Sequence, residues 1–289
     1  MACGGKREEI GVILVTGATG KVGRQLVSQL TAHGAAVRAV ARDPDAAGLP
    51  AGVEVVRADL ADAGSLAPHL TGIDAAFLLW PFTSPGAAAD LAPGVVNAIA
   101  GQVPRIVYLS AHAAADRPDS FWAQVEHLVE ASAAEWTFLR PAGFAANALI
   151  WADQIRAGDV VRWPYGAAAR SLVHERDVAA VARLALTEDG HAGARYVLTG
   201  PSRLTQAEQV QAIGTAIGRQ LRWEELPEDV ARKQLVAAFG DAAFADSALN
   251  TWAGFARRPE ILTTAVQELT GTPARSFGQW AADHADDFR

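Results

Sequence analysis

Two hydrophobic patterns alternate over the first two hundred residues: short unbroken apolar runs, and longer stretches with apolar residues three or four apart. The first run, over 10–15, is rich in β-branched residues and ends at a glycine-bearing turn, as a strand buried in a parallel sheet does. Behind it Val22, Leu26, Val27 and Leu30 mark one face of a helix that begins near Lys21, and His33-Gly34 supplies its stop. The alternation continues with strands over 36–41, 53–56, 74–79, 105–110, 136–139 and 195–198. Helices are predicted over 65–70, 87–100, 120–133 and 178–186. This rhythm predicts a parallel α/β sheet. The segments 145–170 and 201–289 read as mostly helical, with amphipathic stretches over 206–217, 230–239 and 277–285, and are assigned to a smaller lobe over the open edge of the sheet.

The turn between the first strand and first helix reads Thr16-Gly17-Ala18-Thr19-Gly20-Lys21-Val22-Gly23. Glycines let a backbone approach a pyrophosphate, and a helix N-terminus turns amides and a positive dipole end toward it. The G-x-x-G-x-x-G spacing departs from G-x-G-x-x-G in its first interval, but the strand before it and the helix after it supply the context that the fingerprint requires. A Rossmann-type doubly wound sheet binding a nicotinamide dinucleotide is therefore expected, with Thr16, Gly17, Thr19, Gly20, Lys21, Val22 and Gly23 at the phosphates. A tight turn without a ligand is the alternative.

The second strand ends at Arg42-Asp43. An arginine there pairs with a 2′-phosphate, whereas an acid bonds a ribose 2′-hydroxyl. Arg42 comes first, and Lys21 and Arg24 add positive charge nearby, so NADP(H) is favoured; Asp43 leaves NAD(H) open, and a solvated turn is the third option. Asp59-Leu60 after the third strand either receives the adenine amine or caps the next helix. Leu79, Trp80 and Pro81, with Ser110, stand at the carboxyl ends of later strands, where α/β proteins bind ligands.

Composition narrows the classes. The formal net charge of −7 leaves no global positive field for a nucleic acid. Cys3 is the sole cysteine, which excludes internal disulfides, thiolate zinc sites and CxxC chemistry and suits a reducing cytoplasm. No metal site is expected. No targeting segment and no apolar run long enough for a bilayer is seen. Lysine occurs only at positions 6, 21 and 233, so a lysine-dependent active site has few candidates.

The run from Ile13 to Gly23 resembles the opening of the NmrA-like atypical short-chain dehydrogenases, a group with quinone reductases and redox sensors. The run Trp136-Thr137-Phe138-Leu139-Arg140-Pro141-Ala142-Gly143-Phe144, followed by Asn147, is similar to that group's sixth strand and the loop beside the nicotinamide. Val173 to Ala179 resembles its later strand-to-helix junction, and Leu269 to Phe277 with Trp280 resembles its ending. The resemblance implies cofactor contacts from Pro141, Gly143, Phe144 and Asn147. Residues 1–144 and 171–200 are expected to form the NAD(P)-binding Rossmann domain, and 145–170 and 201–289 the substrate-binding lobe.

One feature of ordinary short-chain dehydrogenases is missing. Their Tyr-x-x-x-Lys pair places both side chains on one helix face, where the ammonium lowers the tyrosine pKa. Here Tyr108, Tyr165 and Tyr196 are followed four residues later by His112, Ala169 and Gly200, and the helix that should carry the pair has neither residue type. A ketone reduced by hydride needs a placed proton donor; a quinone, whose reduced form is a stabilised phenolate, needs mainly positioning and hydrogen-bond donors. Candidate donors are Ser110, His112 and Gln124, with His127 read as solvent-facing; Ser110 and His112 also fit as strand-end and loop residues. His174 is read as a bond to backbone at the start of the helix near Asp177. Trp80, Phe82, Trp122, Phe144, Trp151, Trp163 and Tyr165 are candidates for a flat apolar slot, against ordinary core packing. The leading expectation is an NAD(P)H-dependent oxidoreductase acting on a quinone or planar aromatic carbonyl. Relatives in the group imply two alternatives: aromatic polyketide tailoring with reduction coupled to oxygenation, and a non-catalytic NADP-binding sensor. Besides the small planar substrate, the partners expected are a second copy of the chain or an oxygenase. An epimerase or dehydratase is weakened by the missing pair.

Overall fold

β1 (Val12–Val15) passes through the glycine turn into α1 (Lys21–Ala32), followed by β2 (Ala36–Ala41), β3 (Glu54–Arg57) and β4 (Ile73–Leu79). Next come α2 (Pro85–Ala100), β5 (Arg105–Leu109), α3 (Phe121–Glu130), β6 (Glu135–Pro141), α4 (Ala152–Ala157), β7 (Val160–Trp163) and β8 (Ala169–Arg170). The chain continues through α5 (Glu175–Thr187), β9 (Ala194–Leu198), β10 (Leu204–Thr205), α6 (Gln206–Ile217), β11 (Arg222–Glu225), α7 (Glu228–Phe239), α8 (Ala242–Arg257), α9 (Ala265–Thr270) and α10 (Phe277–Asp283). The computed structural model describes residues 11–258 and 260–289. Ile10 of the predicted first strand and Cys3 lie outside the described residues.

The described chain falls into two compact units, one running through residue 140 and including 178–197, the other comprising 141–177 and 198–289. The first is a seven-stranded sheet in the order β3-β2-β1-β4-β5-β6-β9, with parallel pairing from β3 through β6. This is the doubly wound arrangement, in which the order reverses between β1 and β4 and opens a crevice at the strand carboxyl ends. On one face Leu14, Leu78, Tyr108 and Phe138 share a core with Val95, Ile99 and Val125 of α2 and α3. The helix expected over 65–70 is instead two short 3-10 turns, Ala63–Ser65 and Ala67–His69. Pro68 has no amide for a helical bond, and six residues leave no room to recover one.

The second unit is less uniformly helical than its sequence suggests. β7 pairs with β11 in parallel, and β8 with β10 antiparallel. Its core gathers Trp151, Trp163, Leu235, Trp280 and Phe288. No described helix is long and apolar enough to cross a membrane.

A buried ionic clasp ties the start of α5 to the C-terminal segment. Glu175 lies 2.6 Å from His284 Nε2 and 3.3 Å from His174 Nδ1; His284 Nδ1 meets Asp287 at 2.7 Å. His174 Nδ1 accepts the Arg176 amide at 3.2 Å, while Asp283 contacts His174 Nε2 at 3.2 Å and Arg176 at 2.9 Å. Burial alone raises the Glu175 carboxyl pKa, and the contacts with His174 and His284 more than reverse this, holding it well below 4.5. The hydrogen bond to Glu175 raises His284 above its ordinary 6.5 despite burial. A depressed carboxyl contributes stability that is present above its unfolded pKa and lost on acidification; a raised imidazole contributes stability that is complete below its unfolded pKa and lost as pH climbs through the folded value. Thermal melts should therefore show the clasp at full strength between pH 4.5 and 6.5, weakening on both sides. A His284→Gln variant should lose the alkaline limb of that dependence, and an unchanged profile would disprove the assignment.

Candidate functional site

The glycine turn closes at the switch point of the sheet. Thr16 is fully buried: its hydroxyl accepts the Leu79 amide at 2.8 Å and donates to the Phe77 carbonyl at 3.2 Å. Its side chain thus joins the ends of β1 and β4. Gly17 has φ +63°, the left-handed region that favours glycine, and a Cβ there would stand 3.1 Å from Leu79. Gly20 is the N-cap residue of α1, which has no side-chain cap and no acid in its first turn. The first amides of α1 are thereby presented to an anion without an internal competitor. At Gly23 a Cβ would lie 2.1 Å from the Gly17 carbonyl oxygen, so this glycine lets the helix close onto the turn. Thr19 and Lys21 are exposed, whereas the Val22 side chain belongs to the core and leaves only its amide for a phosphate. Glycines filling a cradle that a Cβ would block, in front of uncapped amides, fit a dinucleotide pyrophosphate.

Arg24 is not an open cation. Its guanidinium donates to the carbonyls of Thr19, Gly48 and Ala47 at 2.9, 2.8 and 2.8 Å, pinning the turn to the loop after β2. Arg42 and Asp43 are both exposed at the end of β2. Arg57, which reading the sequence alone passed over, donates to the Arg42 carbonyl at 2.7 Å and lies 3.7 Å from the Asp43 carboxylate. The Arg42 guanidinium forms no ion pair among the described residues and is left facing solvent. Asp59 accepts the Ala61 amide at 2.9 Å with one carboxylate oxygen, the geometry of a turn-forming aspartate, and Leu60 is in the core.

At the next strand ends the register pairs Leu79 with Leu109, which places Trp80 and Ser110 just beyond matched positions. Trp80 is buried with Phe82 edge-on at 5.1 Å, and Pro81 is exposed. The Trp80 indole nitrogen, the Ser110 hydroxyl and His112 Nδ1 are buried without a hydrogen-bond partner. These three atoms stand at the carboxyl edge of an α/β sheet, the edge at which such folds bind their ligands. His112 is only half-buried. On α3, the Trp122 ring lies 4.1 Å from that of Phe121, tilted by 35°, and His127 is exposed. Gln124 is partly engaged: its side-chain amide donates to the Asp119 carbonyl at 3.1 Å. Tyr108 is fully buried, and burial followed by the Glu126 charge pushes its phenol far above the usual range, so it remains protonated.

The remaining candidates belong to the second unit. Pro141 and Gly143 are buried, Phe144 half-buried and Asn147 exposed. The Val173 amide donates to the Gly143 carbonyl at 2.8 Å, the Ala145 amide donates to the Val173 carbonyl at 2.9 Å, and the Arg170 guanidinium donates to the Ala142 carbonyl at 3.2 Å. Arg170 in turn pairs with buried Glu260 at 2.9 Å. Trp151 and Trp163 are core residues, edge-on to Trp223 and Trp252. A cavity of about 210 Å³ is lined by Ile150, Trp163, Pro164, Leu226 and Leu235. Tyr165, with φ +59°, donates its hydroxyl to Glu228, and that bond leads the causes that push its pKa up to about 12. The aromatic residues grouped as one slot on sequence grounds therefore divide: Trp80, Phe82 and Trp122 line the first core, Trp151 and Trp163 the second.

Comparison with known proteins agrees with the glycine turn. Residues 17–189 match the family described as NAD(P)H-binding. The chain is 40% identical over 287 residues, 96% of its length and 99% of the relative's, to a (4-alkanoyl-5-oxo-2,5-dihydrofuran-3-yl)methyl phosphate reductase of Streptomyces griseus. It is 32% identical to an NAD(P)H azoreductase of Xenophilus azovorans, with 96% and 99% of the two chains covered. An NADPH-dependent quinone oxidoreductase of Escherichia coli, solved with NADPH, shares the fold at a TM-score of 0.79 and 24% identity, over 94% of this chain and 99% of that one.

Proposed function

Because this chain belongs to the NAD(P)H-binding family and is an NAD(P)H-dependent oxidoreductase, we propose that it reduces a planar conjugated carbonyl compound, a quinone or an unsaturated lactone, with NADP(H) preferred. The observation that carries this reading is the carboxyl edge of β5, where Ser110 and His112 bring unpartnered polar atoms while α3 has no Tyr-Lys pair. The Streptomyces relative, named for a reaction on a dihydrofuranone, extends the acceptor class from quinones to other rings whose carbonyl is conjugated.

In this reading the turn amides and Gly17, Gly20 and Gly23 hold the pyrophosphate, and Arg42 reads the 2′-phosphate. Phe144 and Asn147 serve the nicotinamide side, as the family resemblance implies. When bound, the reduced coenzyme supplies a hydride. A conjugated acceptor spreads the arriving charge onto its oxygen as an enolate or phenolate, which needs hydrogen-bond donors more than a strong acid. Ser110 supplies a neutral donor and His112 a donor that exchanges protons with solvent through its exposed side. Trp80 and Phe82 offer an apolar wall to a flat ring. The first unit is assigned the coenzyme phosphates, and the enzyme is placed in the cytoplasm.

The test is oxidation of NADPH and NADH by the purified protein with a panel of naphthoquinones and 3-acyl-2(5H)-furanones, followed at the reduced-nicotinamide absorbance. Turnover is expected with at least one class. Removal of one positioned acid-base group costs about 10²- to 10⁴-fold; since solvent shares the proton transfer here, His112→Ala should lower kcat about 10-fold to 100-fold with coenzyme affinity unchanged. Tight coenzyme binding without turnover on any acceptor would sink the reductase reading in favour of a sensor.

A further inference from the structure

We propose that Arg57, the last residue of β3, sets the coenzyme preference: it draws Asp43 away from a ribose 2′-hydroxyl and stands beside Arg42 as a second guanidinium for a 2′-phosphate. The proposal rests on the NADP(H) reading above and adds a residue from a different strand to it.

The placement follows from sheet register. Ala41 pairs with Arg57, so the Arg57 side chain leaves β3 where the chain leaves β2. Its NH1 group donates to the Arg42 carbonyl at 2.7 Å, which fixes the guanidinium against the backbone that carries Arg42. Its NH2 group lies 3.7 Å from Asp43 Oδ1, and both side chains are well exposed, at 65% and 63%. An exposed pair at that distance is weak and readily exchanged for a better partner. A 2′-phosphate, with nearly two charges and three acceptor oxygens, is such a partner. A neutral 2′-hydroxyl is not; its natural acceptor is the Asp43 carboxylate, whose charge Arg57 partly cancels. Two guanidinium groups against one carboxylate leave this edge net positive. Arg24 cannot take their place, since three backbone carbonyls hold it. A lysine at position 57 would keep the charge but lose the planar fork that reaches the carbonyl and a phosphate together.

The experiment titrates the coenzyme-free protein with adenosine 2′,5′-bisphosphate and with 5′-AMP by calorimetry, and then with NADPH and NADH. Loss of a charge-assisted phosphate contact is expected to weaken the bisphosphate about 10-fold in Arg57→Gln, with 5′-AMP within about two-fold of the parent. NADH affinity should rise several-fold in the same variant and fall back when Asp43→Asn is added. Thermal melts confirm folding, which an exposed side chain should not disturb. Equal changes for both nucleotides, or none, would overturn the role of Arg57. Arg42→Ala separates the two levels of the argument: if it discriminates between the nucleotides and Arg57→Gln does not, only the Arg57 proposal falls, whereas discrimination by neither removes the NADP(H) reading as well.

Discussion

Gly23→Ala is expected to abolish coenzyme binding and to cost the first unit about 3 kcal/mol or more, because the added methyl meets backbone rather than side chain. Its Cβ would lie 2.1 Å from the Gly17 oxygen and 2.8 Å from Ala18 Cα, and no rotamer change relieves either contact. α1 would have to lift off the turn, carrying its first amides away from the phosphate position. Nucleotide affinity should fall at least 100-fold, a loss of about 2.8 kcal/mol at 1.4 kcal/mol per decade. Two neighbours calibrate the effect. Gly17→Ala places a side chain at φ +63°, worth about 1–2 kcal/mol, against the Leu79 side chain, which can yield. Gly20→Ala meets only the Gly17 oxygen at 3.2 Å and should shift affinity a few-fold. Calorimetric titration together with chemical denaturation should rank the losses as 23, 17, 20. If Gly20→Ala were the most damaging, phosphate approach at the N-cap rather than helix closure would control the site.

The same turn shows why parts of this protein can be read in advance. Glycine acts through backbone geometry, and the apolar runs at β1, β4 and β5 are buried on both faces, so both leave direct marks in the sequence. β8 and β10, two residues each, are too short to show any period, and the lobe that contains them read as helical. The 3-10 turns before β4 differ from the predicted helix because Pro68 interrupts a segment whose remaining pattern is helical. At the site, what the sequence does not show is the set of backbone partners that its polar side chains take. Thr16 and Arg24 have the side chains of phosphate ligands, but the first bonds Leu79 and Phe77, 61 or more positions away, and the second bonds carbonyls of the following loop. Arg57 shows the converse. Nothing in its own segment points to Arg42, and the association exists only because β2 and β3 pair in a particular register. Trp151 and Trp163 look like slot residues by type, yet both are in the core of the second unit.

The second large effect is expected at the pair that joins α3 to β6. Arg140 donates from Nε to Glu126 Oε1 at 2.9 Å and from NH2 to Oε2 at 2.5 Å, a two-pronged geometry, with side-chain exposures of 14% for Arg140 and 7% for Glu126. Burial of both groups means that their attraction is offset by the desolvation each has undergone, so the pair contributes little net stability relative to well-fitted apolar residues. Removing one partner is different, since it leaves a buried charge with no counterpart. Glu126→Ala should therefore destabilise the protein by about 3–5 kcal/mol in urea denaturation, whereas the double change Glu126→Leu with Arg140→Met should recover most of that loss. Glu126→Gln should fall between them, because the amide oxygen still accepts one bond from Arg140. The consequence for catalysis follows from position: α3 is the helix on which a Tyr-Lys pair is absent, and β6 leads directly into Pro141 and the loop ending at Asn147. Glu126→Gln, if it folds, should raise the KM for coenzyme more than it lowers kcat, since it loosens the strand that presents that loop without touching Ser110 or His112. A loss of kcat alone would instead tie Glu126 to the chemical step, through the charge it places near Tyr108.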